Sequence, residues 1–119
     1  MINGKIWGQT EVLFNHNGIE CHRIFIKRGY ACSLHSHIIR SNAFFVESGV
    51  LVIETCKNDY NLIDKTIIKS NQSCIIEPGE FHKFKCLEEN TVAYEIYWVE
   101  ISKNDIIREN VGGKENNNL

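Results

Sequence analysis

Short β-branched and aromatic runs, broken by turn residues at roughly ten-residue intervals, dominate this chain and leave little of it for helices. Ile24-Phe25-Ile26, Phe44-Phe45-Val46, Val50-Leu51-Val52-Ile53, Cys74-Ile75-Ile76 and the stretch from Thr91 to Ser102 carry side chains that suit a pleated, half-buried backbone. Between them stand Asn15-His16-Asn17-Gly18, Arg28-Gly29, Glu47-Ser48-Gly49, Ser70-Asn71-Gln72, Pro78-Gly79 and Glu88-Glu89-Asn90, all turn material. The runs on either side of Gly49 read as a hairpin, and the residues after Gly29 as a further strand. No helix-period pattern exceeds two turns, and Asn104 to Arg108 make at most one terminal turn. The expectation is an all-β sandwich or barrel forming one domain over residues 1–111, with a frayed Gly/Asn-rich tail at 112–119.

Charge and composition exclude several function classes. The formal net charge is -2 and no Lys/Arg run stands out, so no electrostatic case exists for nucleic acid or an anionic membrane surface. No apolar stretch approaches the roughly 20 residues of a bilayer span, and Met1 to Lys5 lacks the apolar core of a signal peptide. A cytoplasmic location is expected. The five cysteines are odd in number, widely spaced and without a CxxC pair, and read as reduced, packed thiols rather than a disulfide framework.

The chemistry points to three histidines. His35 and His37 are two residues apart, and a strand's side-chain period of two sets them on one face. Two imidazoles side by side are half of a metal site. A third candidate, His82, lies far downstream in Glu77-Pro78-Gly79-Glu80-Phe81-His82. His16 and His22 match no ligand position and read as bystanders.

The spacing around these histidines resembles the paired motifs of the cupin family. Gly29, five residues, His35-x-His37, four residues, Asn42, six residues and Gly49 follow the first motif; Pro78-Gly79-x-x-His82 follows the second. The resemblance covers nearly the whole chain. It implies a double-stranded β-helix, a jelly-roll barrel, with a metal held by His35, His37 and His82. Asn42 stands where the family has its acid, and is either a fourth ligand or a hydrogen-bonding neighbour. A narrower resemblance joins Lys5-Ile6-Trp7-Gly8, His35-Ser36-His37 with Arg40, and Asn104-Asp105-Ile106-Ile107-Arg108 to the small cupin domains of the type II phosphomannose isomerase and mannose-1-phosphate guanylyltransferase group. It implies a mannose-6-phosphate isomerase-like activity, with Arg40 on the family's motif arginine. Cupins commonly pair, so a homodimer is expected, with outward aromatics such as Phe45 at the interface.

Three imidazoles and a carboxamide carry no negative charge. A divalent cation among them favours an anionic small-molecule ligand, and nitrogen-rich ligation favours zinc, iron, nickel or copper over magnesium. Strand parity places Phe84 and Cys86 inward with His82, setting Cys86 in the barrel near the metal, as a packing residue in preference to a ligand or redox group, and turns Lys83 and Lys85 to solvent. The last strand offers two parities, so the general base stays open between Glu95 and Glu100. Three functions fit: a sugar-phosphate isomerase, a non-catalytic small-molecule sensor, and a three-histidine iron oxygenase.

Overall fold

The computed structural model describes residues 2–57, 62–100, 107, 109 and 111–115. Among them there is no helix, and none therefore long and apolar enough to cross a membrane. Nine strands run in chain order: β1 (Ile2–Lys5), β2 (Gly8–His16), β3 (Ile19–Ile26), β4 (Ser41–Ser48), β5 (Val50–Lys57), β6 (Leu62–Lys69), β7 (Ser73–Ile76), β8 (Phe81–Cys86) and β9 (Thr91–Trp98). They form two antiparallel sheets, β1-β2-β3-β9-β4-β7 and β6-β5-β8, packed as a jelly-roll sandwich.

Alternation along each strand builds the core. Ile24 and Ile26 of β3, Phe44 and Val46 of β4, Leu51 and Ile53 of β5, Phe84 and Cys86 of β8 and Ala93 of β9 point between the sheets and form one buried cluster. On β8 the intervening Lys83 and Lys85 turn out and pair with Glu54, at 3.6 and 2.7 Å. That parity is the one expected. Its consequence for Cys86 is not: the thiol is buried in the core cluster, four residues along β8 from His82, or about 13 Å at strand rise. The packing role expected for Cys86 holds, but the residue lies away from the histidines.

Two local expectations are corrected. β4 and β5 do not form a hairpin. Each pairs with other strands, and the chain crosses from one sheet to the other at Gly49. A hairpin would have left both strands in one sheet and uncovered the face that Phe44 and Leu51 share. The residues after Gly29 are not a regular strand either. They run antiparallel beside β8 with two isolated bridges, Ala31 to Lys85 and His35 to His82. Four residues separate the bridges on this segment (35 − 31) and three on β8 (85 − 82), so one extra residue interrupts the ladder. Within that interruption the Phe84 N–H is met by Cys32 Sγ at 3.1 Å, a thiol standing where a carbonyl would be.

The expected terminal turn at Asn104 to Arg108 falls, apart from Ile107, outside the described residues. Residues 112–115 have no regular structure and are exposed.

Candidate metal centre

His35 and His37 come from the irregular segment, and His82 from the start of β8. The segment is fixed to β8 by reciprocal backbone bonds: His35 N donates to His82 O at 3.0 Å, and His82 N to His35 O at 2.8 Å. Gly79 N, in the turn before β8, donates to His37 O at 2.7 Å. Gly79 has φ +86°, a left-handed conformation that glycine adopts without strain, and it turns the chain back so that His37 and His82 meet. The ring centroids are 5.1 Å apart for His35 and His37, 4.6 Å for His35 and His82, and 5.5 Å for His37 and His82. One ligand nitrogen from each ring lies within 4.8 Å of the other two.

The hydrogen bonds around these rings settle which nitrogens are free. His35 Nδ1 donates to Ser33 O at 2.8 Å and His82 Nδ1 to Glu80 O at 2.9 Å. A carbonyl only accepts, so both Nδ1 atoms carry the proton and both Nε2 atoms present a lone pair. His82 Nε2, His37 Nε2 and Asn42 Oδ1 are buried without a hydrogen-bond partner. Buried polar atoms are normally paired, and three orphaned lone-pair donors are the pattern a metal site leaves. The residues fit a divalent cation. Asn42 is fully buried on β4, and its Nδ2 donates to Ile96 O at 3.2 Å, which aims Oδ1 elsewhere.

Burial disfavours the charged form of two of these imidazoles, His37 and His82. Burial, reinforced by the neighbouring His35 and His82 rings, pulls the His37 pKa down to about 4. Burial also lowers that of His82. An unfolded histidine titrates near 6.5, so between about 6.5 and 4 the unfolded chain binds protons that the folded one refuses. Stability therefore rises with pH through that window. The melting midpoint of the metal-free protein is expected to fall as pH is lowered from 7 to 4, and a His37→Asn variant to show a shallower fall. Equal slopes in thermal melts would contradict this.

A cleft of about 270 Å³ opens beside the cluster, with Trp7, Glu20, His22, His35, Glu95 and Tyr97 among its walls. β9 resolves its parity here: Glu95 and Tyr97 face in. Glu95 is buried, and burial raises its pKa against an opposing hydrogen bond with Tyr97. Glu100 is exposed, lies beyond the end of β9, and does not line the cleft. Arg40 sits at the rim, its guanidinium 4.6 Å over the Tyr97 ring and its Nη1 3.3 Å from Glu20. Tyr97 meets the His37 ring edge-on at 4.9 Å, joining the histidine cluster to the cleft wall. Cys32 also lines the cleft, but burial pushes its thiol up to about 11, so it is no thiolate near neutral pH. A larger surface cleft of about 580 Å³, lined by Phe25, Lys27, Glu89 and Thr91 among others, holds no histidine.

His22 is no bystander to this cleft. It donates to Glu20 at 3.1 Å and meets Thr10 at 3.2 Å, and the His22 and Arg40 contacts hold the Glu20 carboxyl below its usual pKa. The alternation Glu20, His22, Ile24, Ile26 on β3 carried that information: the two isoleucines fix the inward face, and His22 shares it.

The sequence matches no protein-family model and no curated protein. Solved structures do match. The Schizosaccharomyces pombe Cnp3 cupin domain superposes with TM-score 0.69 at 12% identity, over 82% of this chain and 69% of that one. The fold is that of the cupins. KdgF from Halomonas sp. gives TM-score 0.71 at 12% identity, covering 83% of this chain and 84% of its own. CapF, a capsular polysaccharide assembling protein from Staphylococcus aureus, gives 0.75 at 17% identity over 88% of this chain, which spans 32% of CapF. In that fold the irregular segment and the turn before β8 bring the histidines of both sequence motifs to one place.

Proposed function

We propose that this cupin is metal-dependent and acts on a small anionic sugar or sugar phosphate, with aldose–ketose isomerisation of the mannose-6-phosphate type as its chemistry. The convergence of three imidazoles, two of them with a buried Nε2 that lacks a partner, beside a cleft lined by Arg40 and Glu95 carries the reading. A divalent ion bound there keeps its full charge and polarises a sugar carbonyl or hydroxyl oxygen. Arg40 binds the anionic group. Its Nη1 pairs with Glu20, while the guanidinium has five N–H donors in a planar fork suited to phosphate or carboxylate.

Glu95 moves the proton. Its raised pKa makes the ionised carboxylate a stronger base and brings it toward the range where one group both takes and gives a proton near neutral pH. It removes the proton from the carbon beside the carbonyl and returns it to the former carbonyl carbon, while the hydroxyl proton of the first carbon passes to the former carbonyl oxygen, so both proton transfers are internal to the sugar and nothing is gained or lost. That a capsular polysaccharide assembling protein shares the fold supports sugar chemistry.

Glu95→Gln is expected to lower turnover of mannose 6-phosphate by the metal-loaded protein by roughly 10²–10⁴-fold, the usual worth of a general base. Binding of the sugar phosphate, followed by calorimetry, should change only a few-fold. Metal-dependent binding by the wild type without any turnover would remove the isomerase and leave a sensor, a reading that the amide at Asn42 favours. Absence of both binding and turnover would remove the sugar reading.

A further inference from the structure

Glu20 and His22 precede the isoleucines on the inward face of β3, and Thr10 lies opposite Ile24 on the inward face of β2. All three polar side chains line the cleft. Their hydrogen bonds fix the state of the imidazole. Contacts with His22 and Arg40 keep the Glu20 carboxyl below its usual pKa, so it is ionised at neutral pH and can only accept. His22 Nε2, 3.1 Å from Glu20 Oε2, therefore carries the ring proton. His22 Nδ1 is left with a lone pair, and the Thr10 hydroxyl, 3.2 Å away, donates to it. The order is hydroxyl, basic nitrogen, N–H, carboxylate, which is a base held in its working tautomer by an acid behind it. A purely structural brace needs no access, yet the side chains of His22 and Glu20 stay 17% and 25% exposed. Register adds the neighbour that matters. His22 stands directly opposite Glu95 across the β3–β9 ladder. Opposed residues on one face have Cβ atoms about 4.5–5.5 Å apart, so the imidazole and the Glu95 carboxyl stand side by side at the cleft wall.

We propose that Thr10, His22 and Glu20 form a proton relay that serves the oxygen atoms of the substrate while Glu95 serves its carbons, an inference that rests on the isomerase reading. Aldose–ketose isomerisation moves two protons, one between adjacent carbons and one between their oxygens, and Glu95 accounts only for the first. The hydroxyl beside the carbonyl gives its proton to Thr10 Oγ1 as Thr10 passes its own to His22 Nδ1. The imidazolium that forms stands against the Glu20 carboxylate, which offsets its charge. The return runs the other way. His22 Nδ1 gives a proton back to Thr10, and Thr10 passes one to the former carbonyl oxygen. Thr10, His22 and Glu20 end as they began, and the sugar has only rearranged its own protons.

Two measurements on the full-length chain test this. In the metal-free protein at neutral pH, nitrogen NMR of the imidazoles should show His22 protonated at Nε2 and bare at Nδ1. The second uses mannose 6-phosphate deuterated at the carbon beside the carbonyl. Metal-loaded His22→Gln and Thr10→Val should each form ketose about 10²-fold more slowly than the wild type. Both should still release deuterium to water, because taking the carbon proton and returning one to the same carbon needs no relay. The ratio of deuterium released to ketose formed should therefore rise about tenfold or more, whereas Glu95→Gln should lose both. A merely structural role for His22 would lower release and product together and leave the ratio unchanged. Thr10→Val, close in volume to threonine, keeps the test decisive should His22→Gln fail to fold. An unchanged ratio, or a His22 ring protonated at Nδ1, would overturn the relay and leave the isomerase standing. A wild type that neither forms ketose nor releases deuterium would overturn the isomerase reading and the relay with it.

Discussion

His82→Ala is expected to lower metal affinity by well over 100-fold, with melting no longer responsive to added zinc or iron. Loss of an outer-shell partner alone typically costs 10- to 100-fold, and His82 is placed to be a direct ligand. Its Nδ1–H is fixed on Glu80 O and its Nε2 is buried and unpartnered, so the residue is oriented for one purpose. The substitution also empties space beside Phe44, whose ring centroid lies 6.4 Å away, so some loss of intrinsic stability accompanies it. His82→Asn, closer in volume, separates the two effects: it should restore much of the stability and little of the affinity.

Gly49→Ala is expected to destabilise the fold by about 2–5 kcal/mol. A left-handed conformation costs a non-glycine residue about 1–2 kcal/mol, and overpacking a filled site typically adds about 1–3 kcal/mol. Gly49 has φ +83°, and a Cβ there would stand 2.6 Å from Thr91 Cα and strike its side chain. Thr91 cannot give way cheaply. It is 1% exposed, its Oγ1 accepts from Val50 N at 3.2 Å, and it donates to Glu88 O at 3.0 Å. This corner carries the chain between the sheets, so the melting midpoint should fall on the order of 10–20 °C. Gly18→Ala provides the contrast: φ is +82° there too, but the nearest atom to a new Cβ is 3.9 Å away, and only the conformational cost applies. Equal losses in the two variants would show that the Thr91 contact relaxes.

Much of this architecture was legible in the sequence because period-two alternation survives in the strands that matter. Phe84 and Cys86 against Lys83 and Lys85 gave the inward face of β8, and with it the direction of His82. His35 and His37 were legible as a pair from their spacing of two, and His82 joined them only through the resemblance of the motif spacing to that of the cupins. What was not legible depends on pairing between distant strands. Gly49 looks the same in a hairpin and in a sheet-to-sheet corner, and only the packing of Thr91 beneath it distinguishes them. On β9, Tyr94, Ile96 and Trp98 are as apolar as the inward set, because the outer face of that sheet is itself apolar, so parity there was ambiguous and Glu95 stood level with Glu100. His22 was passed over because its value lies in sharing a face with Ile24 and Ile26, a relation visible only once β3 is known to face the cleft.

On the proposed reading, His35, His37 and His82 together hold one metal ion. Elemental analysis of the protein as isolated, beside His82→Ala prepared identically, tests it most directly. The wild type should carry close to one equivalent of a transition metal, zinc, iron, nickel or copper, and the variant background levels. A wild type free of metal that takes up none on addition, or a folded His82→Ala variant that retains the wild-type content, would contradict it.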